Sequence, residues 1–474
     1  MKHSFRFFAA TIIFSLLQFC FPQVRCQSIL SEFTGMLEEM DSVPVFRAEQ
    51  LFYLRDWKGK KLRLEIKDAD MLFRMVKPFF FPEMHVSIKG ESDSVWKSSD
   101  GFSFDGKRLD CPLSEANCTL KVEYGHRGVY SLKYLKTTPY IRVFLSQWGT
   151  AFFIHPDMKW KSVCFELPPT YVLFSNVPYT MSADDSGNGY KRHVYSLSCS
   201  SNTYWDISFI MANRGFYQER RLDINNCSLE IWQLDSLSFS EDSTRYVPVP
   251  TSGEKLEKAM HEAGMAIQTY NSFFNNEKNL KFSFVDADLT KDDIAIGVSL
   301  SDSESGECVV LMDRDCWNNG MKEHEIIHKF MPINPSKGDR TYFFFSESLP
   351  EYLSVALTHS GMEEDSLFSR KLEIVQKHPF KQQSVFRITE NKMDESGNGS
   401  AVVVYQKTPY VLYLFSKEIG KETLLRALQT FYAEVHGENS ISLSQMKKVF
   451  LQNGVTVGQW KHLMRMLSSP LEKC

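Results

Sequence analysis

His324-Glu-Ile-Ile-His328, then an interval of eighteen residues, then Ser346-Glu-Ser-Leu-Pro-Glu-Tyr-Leu353: this stretch decides how the 474-residue chain is read. On a helix, residues four apart stand on the same face, so His324 and His328 can both reach one metal ion. Glu325 is turned about 100° from His324, which sets it beside a metal rather than on it. That is the position of a carboxylate that takes a proton from a water polarised by the metal. Two imidazoles do not complete a catalytic zinc site. A third protein ligand is needed, with a fourth position left open. A helix beginning near Ser346 and running back beside the first offers Glu347 as that ligand. Glu351, one turn further on the same face, is placed to hold a ligating histidine from behind. Each residue alone has a plainer reading, since His-Glu-x-x-His arises by chance and glutamates are common on exposed helices. The joint spacing argues for a zinc site of His324, His328 and Glu347, with Glu325 as proton acceptor.

Upstream of this stretch the chain reads as strand. Runs at 119–124, 140–145, 162–167, 171–174 and 205–211 are rich in β-branched and aromatic residues and are separated by turn-forming clusters. Aromatics make up 14% of the chain, 37 of them Phe, in keeping with wide sheet surfaces. The periodicity changes after the proline-containing segment 247–253. Leu256, Met260, Ala263 and Ile267 then recur at helical spacing. Strands are predicted at 280–285 and 308–312, and helices at 320–331, 346–358, 402–419, 423–435 and 442–452. The expected organisation is a β-rich domain over 28–249 followed by a mixed, mainly helical domain over 250–474.

The N-terminus has the form of an export signal over residues 1–26. Lys2, His3 and Arg6 precede an apolar run from Phe7 to Phe21 that is too short to span a bilayer, and Val24-Arg25-Cys26 offers a cleavage site. A secreted, periplasmic or cell-surface location is expected, without a transmembrane span. A lipid on Cys26 is the weaker reading, because Arg25 stands where a small residue belongs. Export permits disulfides. The ten cysteines include the close pairs Cys111/Cys118 and Cys308/Cys316, and Cys164/Cys199 on neighbouring predicted strands, so these are candidate bridges. No cysteine pair has zinc-site spacing. Asn117 and Asn226 fit the glycosylation pattern. A net charge of −4 argues against nucleic acid as a partner. No nucleophile elbow and no glycine-rich phosphate loop occurs. His155, His193, His261 and His378 lack partner patterns and read as ordinary surface or packing residues.

Taken together, the residues resemble the aminopeptidase N-like gluzincins, the family that includes leukotriene-hydrolase-type enzymes. Its signature is His-Glu-x-x-His, eighteen residues, then Glu in an Asn-Glu-Gly-Phe-Ala-x-Tyr type of helix. The interval is matched in full, and Glu347 and Tyr352 keep their positions. Tyr405-Gln-Lys-Thr-Pro-Tyr-Val-Leu-Tyr-Leu-Phe415 is similar to the family's Tyr-Glu-Lys-Gly helix, whose tyrosine stabilises the oxyanion. The resemblance therefore implies that role for Tyr405, which otherwise reads as a packed aromatic. Lys159–Val177 and Thr203–Phe209 resemble parts of the family's saddle-shaped β domain. The implied fold is multidomain α+β, a saddle-like β domain followed by a thermolysin-like catalytic domain. The implied function is zinc-dependent hydrolysis of peptides or proteins.

One family element is missing. The strand that carries Gly-x-Met-Glu-Asn, whose Glu grips the substrate's free amine, is replaced here by Ile296-Gly-Val-Ser-Leu-Ser-Asp-Ser-Glu-Ser-Gly-Glu-Cys308. Asp302, Glu304 and Glu307 are the acids available to take over, though each also reads as a solvated loop residue. Three functions stay open: an aminopeptidase, an endopeptidase or otherwise specialised peptidase, and a non-catalytic binding protein on the same scaffold.

Overall fold

The computed structural model describes residues 28–40, 43–66, 83–99, 101–127, 143–146, 152–185, 191–199, 207–234, 236–239, 246–249, 253–287, 297–301, 306–313, 320–331, 339–379, 383–388, 398–435 and 441–469. The expected signal segment with Cys26, the acids Asp302 and Glu304, and Cys316 and Cys474 lie outside these residues. The chain divides into two compact units. Residues 1–129, 146–169 and 179–207 form the first, and residues 130–145, 170–178 and 208–474 the second.

Two sheets build the first unit. The larger has eight strands, with Ser28–Met40 at its centre, antiparallel to Val43–Arg55 and parallel to Met158–Leu167. The smaller pairs Phe153–Ile154, Lys61–Ile66, Arg108–Pro112 and Ser103–Phe104. The alternation that makes a half-buried strand is plain in the central pair. Ile29, Ser31, Phe33 and Leu37 are buried while their neighbours are partly exposed, and Phe46, Ala48, Gln50, Phe52 and Leu54 do the same on the partner. Gly35 lies in the same row because a Cβ there would sit 2.9 Å from the Phe165 ring and 3.0 Å from those of Phe33 and Phe46. Gln50 joins the sheets. Its side-chain amide donates to the Phe153 carbonyl at 2.8 Å and accepts from the Phe153 N–H at 3.0 Å.

The second unit contains a three-stranded sheet, Tyr171–Ser175, Phe209–Asn213 and Val143–Ser146, and a five-stranded mixed sheet in the order Tyr217–Ile224, Cys227–Leu234, Leu280–Ala287, Glu307–Asp313, Gly297–Ser301. The first two strands of the latter form a hairpin whose turn residue Asn225 takes a left-handed φ of 52°. The next connection is parallel and needs a crossover, supplied in part by the helix Gly253–Phe273. That helix buries Leu256, Met260, Ala263 and Ile267, the residues singled out by their spacing. Gly297–Ser301 pairs antiparallel with Glu307–Asp313 and forms the sheet's edge. Among the described residues eight α-helices follow, from Met321–Phe330 to Val457–Ser468, with short π- and 3-10 turns between them, and most share one apolar core with the five-stranded sheet and its crossover helix. A β-rich part leading into a mainly helical one is thus the observed architecture, and no helix among the described residues is long and apolar enough to cross a membrane.

The expected disulfides are a correction. Cys111, Cys118, Cys164, Cys199, Cys227 and Cys308 are all free thiols. Cys111 stands opposite Leu62 in the smaller sheet, whereas Cys118 stands opposite Leu54 and Gly90 in the larger one, so proximity in sequence does not bring them together. Cys164 faces Ser196, with the sulfur 3.6 Å from its hydroxyl, while Cys199 lies beyond the end of that ladder. Cys308 has its sulfur 3.6 Å from the Ser299 hydroxyl.

Candidate metal centre

The helix Met321–Phe330 carries five ionisable residues in its first eight positions, and four consecutive ones, Lys322 to Glu325, are buried. Burial of this kind holds only when each charge has a partner. Lys322 has two, the carboxylates of Glu262 and Glu323, each at 2.8 Å. The Tyr270 hydroxyl donates to the carbonyls of Glu323 and Ser354 at 3.3 and 3.5 Å, which links this helix to Leu349–Thr358. The chain enters the helix through Gly320, whose φ of 82° suits glycine.

His324 and His328 converge as their spacing requires. Their Nε2 atoms are 3.0 Å apart, and Glu347 Oε2 lies 3.4 Å from the first and 3.7 Å from the second. The three donor atoms all fall within 4.8 Å of one another. Two imidazole nitrogens and one carboxylate oxygen gathered from two helical segments are a zinc donor set, so the residues fit the metal that the spacing implies. His324 is buried, whereas His328 and Glu347 keep about a fifth of their side-chain surface exposed (20% and 22%), so the cluster is reached from that side. Glu351 sits behind His324, its carboxylate 2.7 Å from Nδ1, which turns Nε2 towards the shared point.

Glu347 and Tyr405 both lie in π-helical turns, Phe344–Ser348 and Val403–Lys407. In each, the N–H that follows the turn reaches back five residues, from Leu349 to Phe344 and from Thr408 to Val403. Each turn precedes a proline, Pro350 or Pro409, that has no N–H to continue an α-helical ladder. Such one-turn insertions concentrate at functional sites. The Ser348 hydroxyl donates to the Val404 carbonyl at 2.8 Å and fastens one turn to the other. The Tyr405 hydroxyl donates to Glu347 Oε2 at 3.0 Å, and its ring centroid is 5.7 Å from that of His324.

Electrostatics follow from this crowding. Burial works against charging His324, but Glu347 and Glu351 outweigh it and lift the pKa to about 10. For His328 burial prevails over the neighbouring carboxylates and lowers it to about 4, so of the two imidazoles it is His324 that carries the charge at neutral pH. Burial raises Glu325 to about 7, helped by Glu347 and opposed by His324 and by a hydrogen bond from the Ser299 backbone N–H. Burial would also raise Glu351, yet Lys371 and His324 bring it down to about 2. Burial and the adjacent Glu347 keep Tyr405 protonated well beyond the ordinary phenol range.

All six residues named from the sequence therefore meet in one place. Two contributors were not anticipated. One is the Ser299 amide on the edge strand Gly297–Ser301, which packs beside the histidine helix. The other is Lys371, on a helix, Gly361–Lys377, absent from the sequence-based outline. Its signal was present, because Ser360-Gly-Met-Glu363 has the spacing of a helix start and Glu364, Phe368 and Val375 are buried at helical intervals. Glu307, one of the candidate amine-binding acids, lies on the next strand with its carboxylate 3.9 Å from Lys281.

No protein-family model matches the chain, and no curated protein matches it in sequence. Among solved structures it is similar to an M1 zinc metallopeptidase from Deinococcus radiodurans, solved as a Glu-to-Ala variant bound to a Tyr-Ser-Ala substrate. The likeness covers 94% of this chain and 95% of that one, with a TM-score of 0.58 and 10% identity. The fold is accordingly that of an M1 zinc metallopeptidase.

Proposed function

We propose that this chain is a zinc-dependent peptidase. The observation that carries the reading is the convergence of His324, His328 and Glu347 on one point, with the buried Glu325 next along the helix from His324, in a chain of this fold. A zinc ion held there supplies Lewis-acid polarisation of a peptide carbonyl and of a water molecule. Glu325, near neutral in its pKa, takes the proton from the attacking water and returns it to the leaving amine. Glu351 keeps the His324 ring in register through Nδ1. Tyr405, protonated and next to Glu347, is the donor available to the oxygen that becomes negative as the carbonyl is attacked. Digestion of a mixed peptide library with and without a chelator, read by mass spectrometry, tests this. Metal-dependent cleavage is expected, and a library left intact by zinc-loaded protein overturns it.

Whether the substrate's free amine is recognised is a separate matter. The strand Gly297–Ser301 has no carboxylate, and Glu307 on the next strand pairs with Lys281. Among the described residues these two observations favour cleavage that does not require a free N-terminus over strict aminopeptidase action. Equal rates on a peptide and its N-acetylated form are expected. A strong preference for the free amine restores the aminopeptidase reading. A zinc stoichiometry near zero on purified protein supports instead a binding protein on a peptidase scaffold. We also propose export, on the strength of the pattern over residues 1–26, with a mature N-terminus near residue 27 as the result expected from N-terminal sequencing.

A further inference from the structure

A π-turn followed by proline leaves backbone carbonyls without helical donors, and this site contains two such turns. Pro409 stands four residues after Tyr405, the position from which an α-helix would donate to the Tyr405 carbonyl, and it has no N–H to give. That carbonyl accepts instead from Lys371 Nζ at 3.1 Å. The same ammonium is paired closely with Glu351, the carboxylate that faces Nδ1 of His324. Lys371 is itself largely withdrawn from solvent, with 11% of its side chain exposed. A closed ring of contacts results: Glu347 to His324, His324 to Glu351, Glu351 to Lys371, Lys371 to the Tyr405 carbonyl, and the Tyr405 hydroxyl back to Glu347. Lys371 is the one member that is neither a donor to the metal point nor in contact with one.

We propose that Lys371 is a positioning residue that fixes Tyr405 and the His324 imidazole relative to each other, by holding the Tyr405 carbonyl and the Glu351 carboxylate with one ammonium. The proposal rests on the peptidase reading for its effect on turnover, but its effect on metal binding stands without it. An ammonium suits the task because it offers three donors in different directions, whereas a backbone amide or a hydroxyl offers one. Without it, Glu351 is a buried carboxylate with one contact fewer, and the helix of Tyr405 loses one of its ties to the site.

The test uses the full chain with Lys371→Met, Lys371→Arg and Lys421→Met, the last removing an ion pair with Glu364 whose lysine otherwise contacts the His359 carbonyl and no member of the ring. Zinc affinity is measured by competition with a chromophoric chelator, and melting temperature by circular dichroism. Lys371→Met is expected to weaken zinc binding by about 10- to 100-fold, the usual effect of removing support behind a ligand. Lys371→Arg is expected to recover part of that loss. Lys421→Met is expected to lower the melting temperature and leave zinc affinity unchanged. On a peptide that the wild type cleaves, Lys371→Met is expected to lower kcat with KM within about twofold. Combined with Tyr405→Phe it should cost less in kcat than the product of the two single losses, because the two changes act in part on one donor. Should Lys371→Met fail to fold, Lys371→Gln takes its place in the same measurements. Unchanged zinc affinity in the folded variant overturns the proposal, as do kcat losses that multiply with those of Tyr405→Phe. If the wild type cleaves no peptide, the zinc measurement alone decides, so failure of the peptidase reading and failure of this one remain distinct.

Discussion

The two units bury polar groups in opposite ways. Inside the first, Gln50 is a neutral amide, fully buried, with its oxygen and its nitrogen both bonded to the backbone of Phe153 and the nitrogen also to the Ser31 hydroxyl. Around it lie aliphatic and aromatic side chains. Inside the second, Lys322, Glu323, His324 and Glu325 follow one another in the interior and are met by Glu262, Glu347 and Glu351, the last of these paired with Lys371. Desolvating an ion costs several kcal/mol even after relaxation, so such a cluster is a poor way to stabilise a fold. The amide network holds two sheets together, and the ionic one holds a chemical arrangement. The difference predicts that substitutions in the two places fail in different currencies, stability in the first and metal or turnover in the second.

The largest effect is expected from the ligands. His328→Ala should bring zinc stoichiometry near zero and peptide cleavage down to the level seen with chelator, as measured by metal analysis and a quenched-fluorescent peptide assay. A variant that retains both removes His328 from the site. Glu325→Gln comes next. It should keep its zinc and lose about 10²- to 10⁴-fold in kcat, the range for a general base. Cleavage at the wild-type rate would show that another group takes the proton.

A smaller, continuous effect concerns pH. With His324 lifted to about 10 and His328 lowered to about 4, one imidazole of the pair is charged at neutral pH, and zinc must displace its extra proton. Apparent zinc affinity should therefore rise with pH between about 6 and 9, by up to about tenfold per unit, while one proton is released per zinc in weakly buffered titrations. A flat profile would mean that both imidazoles are already neutral. The smallest change in function is expected from Gln50→Leu. It removes the Gln50 amide from the Phe153 N–H and carbonyl and should cost about 1–3 kcal/mol in urea unfolding. Zinc affinity should stay as in the wild type. A parallel loss of metal would erase the contrast between the units.

The same contrast explains what could be read in the sequence. Strands that alternate, such as Ile29 to Leu37, and helices with a regular apolar stripe, such as Leu256 to Ile267, announce themselves because burial and period coincide. The metal ligands were legible through their spacing, since two histidines on one helical face and a carboxylate eighteen residues on leave few arrangements. The support behind them was not. Helix Met321–Phe330 is buried on most of its surface, so its charges form no polar face to read. Helix Gly361–Lys377 buries only Glu364, Phe368 and Val375, too thin a stripe to compete with its many exposed charges. The cysteine pairs misled because neighbours in sequence, Cys111 and Cys118, belong to different sheets. The π-turns were hidden because the helices on either side of them are continuous in pattern. Only Pro350 and Pro409, standing inside helical runs, marked where the ladder slips.

Those two slips also bear on how this sequence can change over time. A π-turn is one residue more than an α-helix needs, and one residue is about 100° of rotation. A substitution in Phe344–Ser348 or Val403–Lys407 alters a side chain and leaves the frame, but a single-residue deletion would swing everything on one side of the turn through more than a quarter of a circle. No intermediate position exists for drift to pass through. The lengths of these two segments are therefore under tighter constraint than most of the residues within them. An insertion or deletion there is the change that descendants of this chain would be least able to carry while keeping Glu347 and Tyr405 in register.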